Sequence, residues 1–90
     1  MDLVIRKKRI ESRLQSDFNP VSLEVRDDSK KHAGHQGIEE GVKETHFYIQ
    51  MRSSSFKGLN KVIMHRKVYE SLKDEFDNGL HALELELGEN

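Results

Sequence analysis

A chain of 90 residues has room for one domain, and with 34% hydrophobic and 34% charged residues its core must be small and its surface thoroughly charged. The formal net charge of −1, with 15 Lys and Arg against 16 Asp and Glu, argues against a general polyanion binder, which carries a clear basic excess. No apolar run approaches the roughly 18 residues of a membrane span, and the lack of cysteine removes both a disulfide framework and any thiolate ligand.

The opening "MDLVIRKKRIESRL" has an acidic second residue, a short apolar run and no small-residue cleavage site, so no secretory signal is expected and a cytoplasmic location follows. Leu3, Lys7, Ile10 and Leu14 recur at helical spacing, which predicts an amphipathic helix over about residues 2–15. "SDFNP" breaks it, with Pro20 pushing Asn19 out of the helical region. "VSLEVR", residues 21–26, alternates Val21, Leu23 and Val25 with polar residues and reads as a half-buried strand. A long polar segment follows, "DDSKKHAGHQG" and then "IEEGVK", which contains His32 and His35 and reads as a solvated loop.

"ETHFYIQMRS" resumes the alternation, with Thr45, Phe47, Ile49 and Met51 on one side and His46, Tyr48, Gln50 and Arg52 on the other. "SSSFKG" reads as a break. From Leu59 to about Asp77 the spacing predicts one helix whose apolar stripe contains Val62, His65, Val68, Tyr69, Leu72 and Phe76. Gly79 is placed to cap its end. "LHALELELG" then sets His81, Leu83, Leu85 and Leu87 against Ala82, Glu84 and Glu86.

The expected order is helix, strand, strand, helix, strand, in a single domain over residues 1–90. A strand that follows a long helix suits a parallel crossover, and strands with one apolar face suit helices on one side only. The fold class is therefore α+β, two-layer, with a three-stranded mixed sheet and helices on one face. Phe47, Ile49, Leu72, Phe76 and Leu83 are its expected core.

Of the five histidines, His65 reads as a core or boundary imidazole on the helical stripe, and His81 as a packed residue at a strand end. His46 faces the open side of its strand, and His32 and His35 belong to the loop. His32-x-x-His35 does not make a self-contained zinc site, which needs four ligands, commonly with cysteine among them. No nucleophile elbow, phosphate loop or catalytic triad order is present, so the chain does not read as an enzyme. "GHQG" matches a Gly-x-x-Gly spacing but falls between two strands, away from the helix pair such a nucleotide clamp requires.

Taken together, "SKKHAGHQG", "ETHFYIQMRSSSFKGLNKVIMHRKVYESLKDEF" and "GLHALEL" resemble the signature blocks of the BolA-like family from about Arg9 to Leu87. The resemblance implies a fold related to the type II KH topology and a role in iron–sulfur and iron homeostasis as partner of a monothiol glutaredoxin. It also implies a [2Fe–2S] cluster shared with that partner, with glutathione on the partner side and two ligands from this chain. Carried onto this sequence, the strand-end ligand is His81, and the loop ligand is His32, with His35 as the alternative. Family members in bacteria are further linked to stress response, cell shape and transcription. Two departures stand out: Met64 occupies the place of a basic residue before the helical histidine, and the stretch after the last strand is short.

A cluster held by two histidines on one iron has a raised potential relative to all-cysteine ligation. Without cysteine, this chain can complete such a cluster only as half of a heterodimer, and alone it is expected to be a colourless monomer. Imidazole binds metal only when neutral, so sharing is expected to weaken toward about pH 6. The alternative reading is a DNA-binding regulator that uses Lys57, Lys61, Arg66 and Lys67 around the second helix.

Overall fold

Helix α1 (Arg6–Phe18) buries Ile10, Leu14 and Phe18, one side chain per turn on a single face. The computed structural model describes residues 6–28 and 45–89, so His32 and His35 lie outside the described residues. The helix runs three residues past its expected end because Phe18 belongs to the buried stripe, its ring centroid 5.3 Å from that of Phe56. Asn19 stops it in the left-handed region at φ 45°, a conformation that asparagine tolerates better than most residues.

Strands β1 (Ser22–Asp27), β2 (His46–Arg52) and β3 (Ala82–Gly88) form one mixed sheet in the order β1-β2-β3. β1 pairs antiparallel with β2, Val25 opposite Ile49, and β2 pairs parallel with β3, Phe47 beside Leu83 and Ile49 beside Leu85. The parallel crossover expected from the long intervening helix is present. Central β2 buries Phe47, Ile49 and Met51 to 1% exposure or less, while Leu83, Leu85 and Leu87 of edge strand β3 are partly buried against them. Val21, expected inside the first strand, lies just before it and is 72% exposed.

"SSSFKG" is more than a break. Ser54–Phe56 forms a 3₁₀ turn that turns Phe56 fully into the core. Ser53, also fully buried, anchors this turn: its Oγ donates to the Phe18 carbonyl at 2.6 Å and accepts from the Ser55 N–H at 3.0 Å.

The single expected helix is two, α2 (Lys61–Ser71) and α3 (Lys73–Asp77), separated at Leu72. Asn60 caps α2 by accepting from the Ile63 N–H at 2.9 Å. The inward stripe is Met64, Val68 and Leu72, at spacings of four, whereas Val62 is 63% exposed and Tyr69 42% exposed. His65 is accordingly exposed, and the expected core or boundary imidazole is corrected. The physical reason is that apolar residues lie all around α2, so its own pattern does not choose a face and packing against the sheet does. Met64 packs against the core, which accounts for an apolar residue there in place of a basic one.

α3 is clamped to α1. Glu75 Oε1 accepts from Arg6 Nε at 2.9 Å and Oε2 from Arg9 Nε at 2.7 Å, and these arginines, Arg9 foremost, hold the Glu75 carboxyl below its ordinary range. Gly79 follows α3 with φ 113°, as a left-handed cap requires, and the adjacent Asn78 carbonyl accepts from Arg6 Nη2 at 2.6 Å. No helix among the described residues is long and apolar enough to cross a membrane.

Candidate metal-ligand site

His81 stands one residue before β3 and is exposed. Its backbone N–H donates to the Thr45 carbonyl at 2.8 Å, and the N–H of Ala82 donates to the same oxygen at 3.2 Å. A single carbonyl thus fixes the chain as it enters the strand. The packed strand-end imidazole suggested by alternation is not found; the ring lies at the surface.

His46 opens β2 directly beside Ala82 in the parallel register. It is half-buried, and its Nδ1 lies 2.9 Å from Thr45 Oγ1. Its ring meets that of His81 edge-on, centroids 5.7 Å apart and planes at 79°. The surface histidine expected at position 46 is therefore a neighbour of the exposed one at 81.

The adjoining open face of the sheet is polar and internally paired. Asp28, 8% exposed, takes Arg26 on both carboxylate oxygens, at 2.8 Å and 3.3 Å, and its N–H donates to the His46 carbonyl at 2.7 Å. The Arg26 guanidinium sits 4.4 Å over the Tyr48 ring. Tyr48 donates to Glu86 at 2.8 Å, and that bond raises the phenol above its ordinary pKa. A cleft of about 210 Å³ is lined here by Asp28, His46, Phe47, Ala82, Leu83 and Glu84.

Among the described residues there is no group of three or more histidine, aspartate or glutamate side chains able to hold a metal ion. What this end of the sheet presents is the exposed imidazole of His81, with the half-buried ring of His46 edge-on to it. The cations Lys57, Lys61, Arg66 and Lys67 lie apart from this constellation in the chain, after the 3₁₀ turn and along α2. All four are exposed, and none makes an ion pair with another described residue.

The neighbourhood of Thr45, His46 and His81 was not legible from any one motif. A signal exists, however: setting "THFYI" and "HALEL" side by side as parallel strands, Phe47 against Leu83, places Thr45 next to His81.

Comparison with known proteins matches residues 14–89 to the model of one family, described as BolA-like protein. The chain is 43% identical over 81 residues to Protein BOLA1, chloroplastic, of Arabidopsis thaliana, covering 89% of this chain but only 51% of that protein. It is 37% identical over 79 residues to a protein of Escherichia coli named DNA-binding transcriptional regulator BolA, covering 88% of this chain and 70% of that one. Among solved structures, the BolA domain of SufE1 from Arabidopsis thaliana superposes with a TM-score of 0.85 at 40% identity, over 97% of this chain and 94% of that domain.

Proposed function

This chain belongs to the BolA-like family, and from that premise we propose that it is a non-enzymatic adaptor of iron–sulfur and iron homeostasis that pairs with a monothiol glutaredoxin. In this reading the two proteins share a [2Fe–2S] cluster, and this chain contributes histidine rather than sulfur. The observation that carries it is His81: an imidazole at the surface whose backbone is tied at 2.8 Å to Thr45. A ligand fixed at its backbone and open at its ring suits a metal presented by a second protein.

The donor set agrees. With no cysteine in the chain, thiolates for iron must come from the partner's cysteine and its glutathione. When bound, such a cluster supplies a one-electron redox centre. The second imidazole in this reading is His32, with His35 as its alternative. The segment 29–44 that contains both leaves the sheet at Asp28 and returns at Thr45, and those two residues flank His46 at the end of the sheet where His81 stands. A cytoplasmic address remains part of the reading.

Visible circular dichroism tests the proposal. Addition of this protein to a cluster-loaded monothiol glutaredoxin should replace the glutaredoxin spectrum with a new one, and His81→Ala should abolish the change. An unaltered glutaredoxin spectrum with the unmodified protein ends the proposal.

A second reading, a DNA-binding regulator, draws on one observation: the exposed cations Lys57, Lys61, Arg66 and Lys67 have no carboxylate partner among the described residues. The net charge of −1 weighs against it. A steep fall of DNA affinity with salt, together with sequence preference, would favour it over the adaptor.

A further inference from the structure

We propose that Thr45 and His46 form a bracket that positions the His81 imidazole for metal, with His46 acting as a positioning residue and not as a ligand. The inference rests on the adaptor reading only for what the positioned ring is for; the bracket itself stands on geometry.

Three contacts converge. The Thr45 carbonyl receives the N–H groups of both His81 and Ala82, at 2.8 Å and 3.2 Å, which sets the direction in which the chain enters β3. The Thr45 hydroxyl lies 2.9 Å from His46 Nδ1 and so fixes the rotation of that ring. The fixed ring then lies edge-on to the His81 ring at 5.7 Å and 79°, within the separation and angle that aromatic pairs prefer. One residue thus holds the backbone of His81 directly and its side chain through a neighbour.

The consequence is thermodynamic. An exposed histidine samples several side-chain rotamers, and a metal must select one of them at an entropic cost. A ring already held against His46 has part of that ordering done before metal arrives, as supporting contacts do around metal ligands generally. His46 is poorly placed to be scaffold alone. It is the first residue of its strand and half-buried, while the packing beneath it belongs to Phe47. The contribution assigned to it is the body of the ring, which meets His81 edge-on.

Substitutions that separate ring from nitrogen test this. His46→Phe keeps an aromatic body and removes both nitrogens, His46→Ala removes the ring, and Thr45→Val removes only the hydroxyl. In the isolated, metal-free protein, three-bond couplings about the Cα–Cβ bond of His81 should report one dominant rotamer for the unmodified chain and for His46→Phe. They should report averaging for His46→Ala, and a partial loss of preference for Thr45→Val. Averaged couplings in the unmodified chain, or unchanged couplings in His46→Ala, overturn the bracket.

The same variants then meet a cluster-loaded monothiol glutaredoxin. His46→Ala should weaken cluster-dependent binding by about tenfold while leaving affinity for the cluster-free partner unchanged, and His46→Phe should behave as the unmodified chain. If His46→Phe loses as much as His46→Ala, the nitrogen is required, His46 is a ligand, and the proposal fails. If the unmodified chain gives no response to the cluster, the adaptor reading fails instead, and the coupling measurement still decides the bracket.

Discussion

Phe56 and His81 are placed by similar means and put to opposite uses. Each is held by a hydrogen bond to a distant helix end or strand start, from the Ser53 hydroxyl to Phe18 in one case and from the His81 backbone N–H to Thr45 in the other. Phe56 is driven fully inward, with Ser53 tying its turn to Phe18, while His81 is tied to Thr45 yet left open to solvent. The difference teaches that the packed core and the candidate ligand occupy separate regions of this small domain. The core can be damaged without touching the histidine pair, and the histidine pair can be altered without loosening the core.

Core damage gives the largest expected effect. Leu72, 1% exposed where α2 meets α3, should cost about 2 to 5 kcal/mol as Leu72→Ala, a large share of the stability of any small domain. Urea denaturation measures it; a midpoint close to that of the unmodified protein would show that the helix junction is not the packing centre.

Ser53→Ala comes next. It removes a buried hydroxyl that serves both Phe18 and Ser55, and about 1 to 2 kcal/mol should be lost. Ser55 also reaches the Phe18 carbonyl, at 3.3 Å, which keeps the loss below that of an orphaned acceptor. A stability change as large as that of Leu72→Ala would mean that the 3₁₀ turn unravels as a whole.

Glu75→Gln is smaller, about 1 kcal/mol at neutral pH, because Arg9 is half-exposed and its attraction is screened by solvent. The sign of its pH dependence is set by the lowered carboxyl pKa in the folded protein. The contribution is present in full above the ordinary carboxylate range and is lost as the pH falls through that range and below it. The unmodified protein and Glu75→Gln should therefore converge in acid, and a difference that persists there would assign the loss to packing.

The smallest effects belong to the exposed histidines, one at the candidate site and one on α2. His81→Ala and His65→Ala should each change stability by no more than about 0.5 kcal/mol, since both side chains are exposed. A thermal melt that drops by many degrees for His81→Ala would erase the separation between the two regions.

Strand interiors were readable in advance because a period of two leaves little choice once one face is apolar, and the parallel sense of the last strand followed from the helix before it. Phe47, Ile49 and Met51 are buried as their alternation requires, and the crossover to β3 is parallel. Helix faces were readable only where the apolar residues fall on one side. α1 shows such a stripe in Ile10 and Leu14, although its third member, Phe18, lay hidden in what reads as a break. α2 does not, so Val62, His65 and Tyr69 were assigned inward and lie outward. At the candidate site, His81 was named through a family resemblance, and its neighbour His46 was not, because their meeting depends on strand register.

The amino-acid order alone determined the helix-strand-strand-helix-strand plan, the buried alternation of β2 and the lack of any thiolate of its own, since each follows from local periodicity or from composition. The tertiary structure decided which face of α2 turns inward, that Phe56 and Ser53 belong to the core, and that Thr45 and His46 stand against His81. The physical reason is range. A periodic pattern acts between residues two to four positions apart, whereas Thr45 and His81 meet only when the sheet closes and one backbone register brings two distant strand starts together.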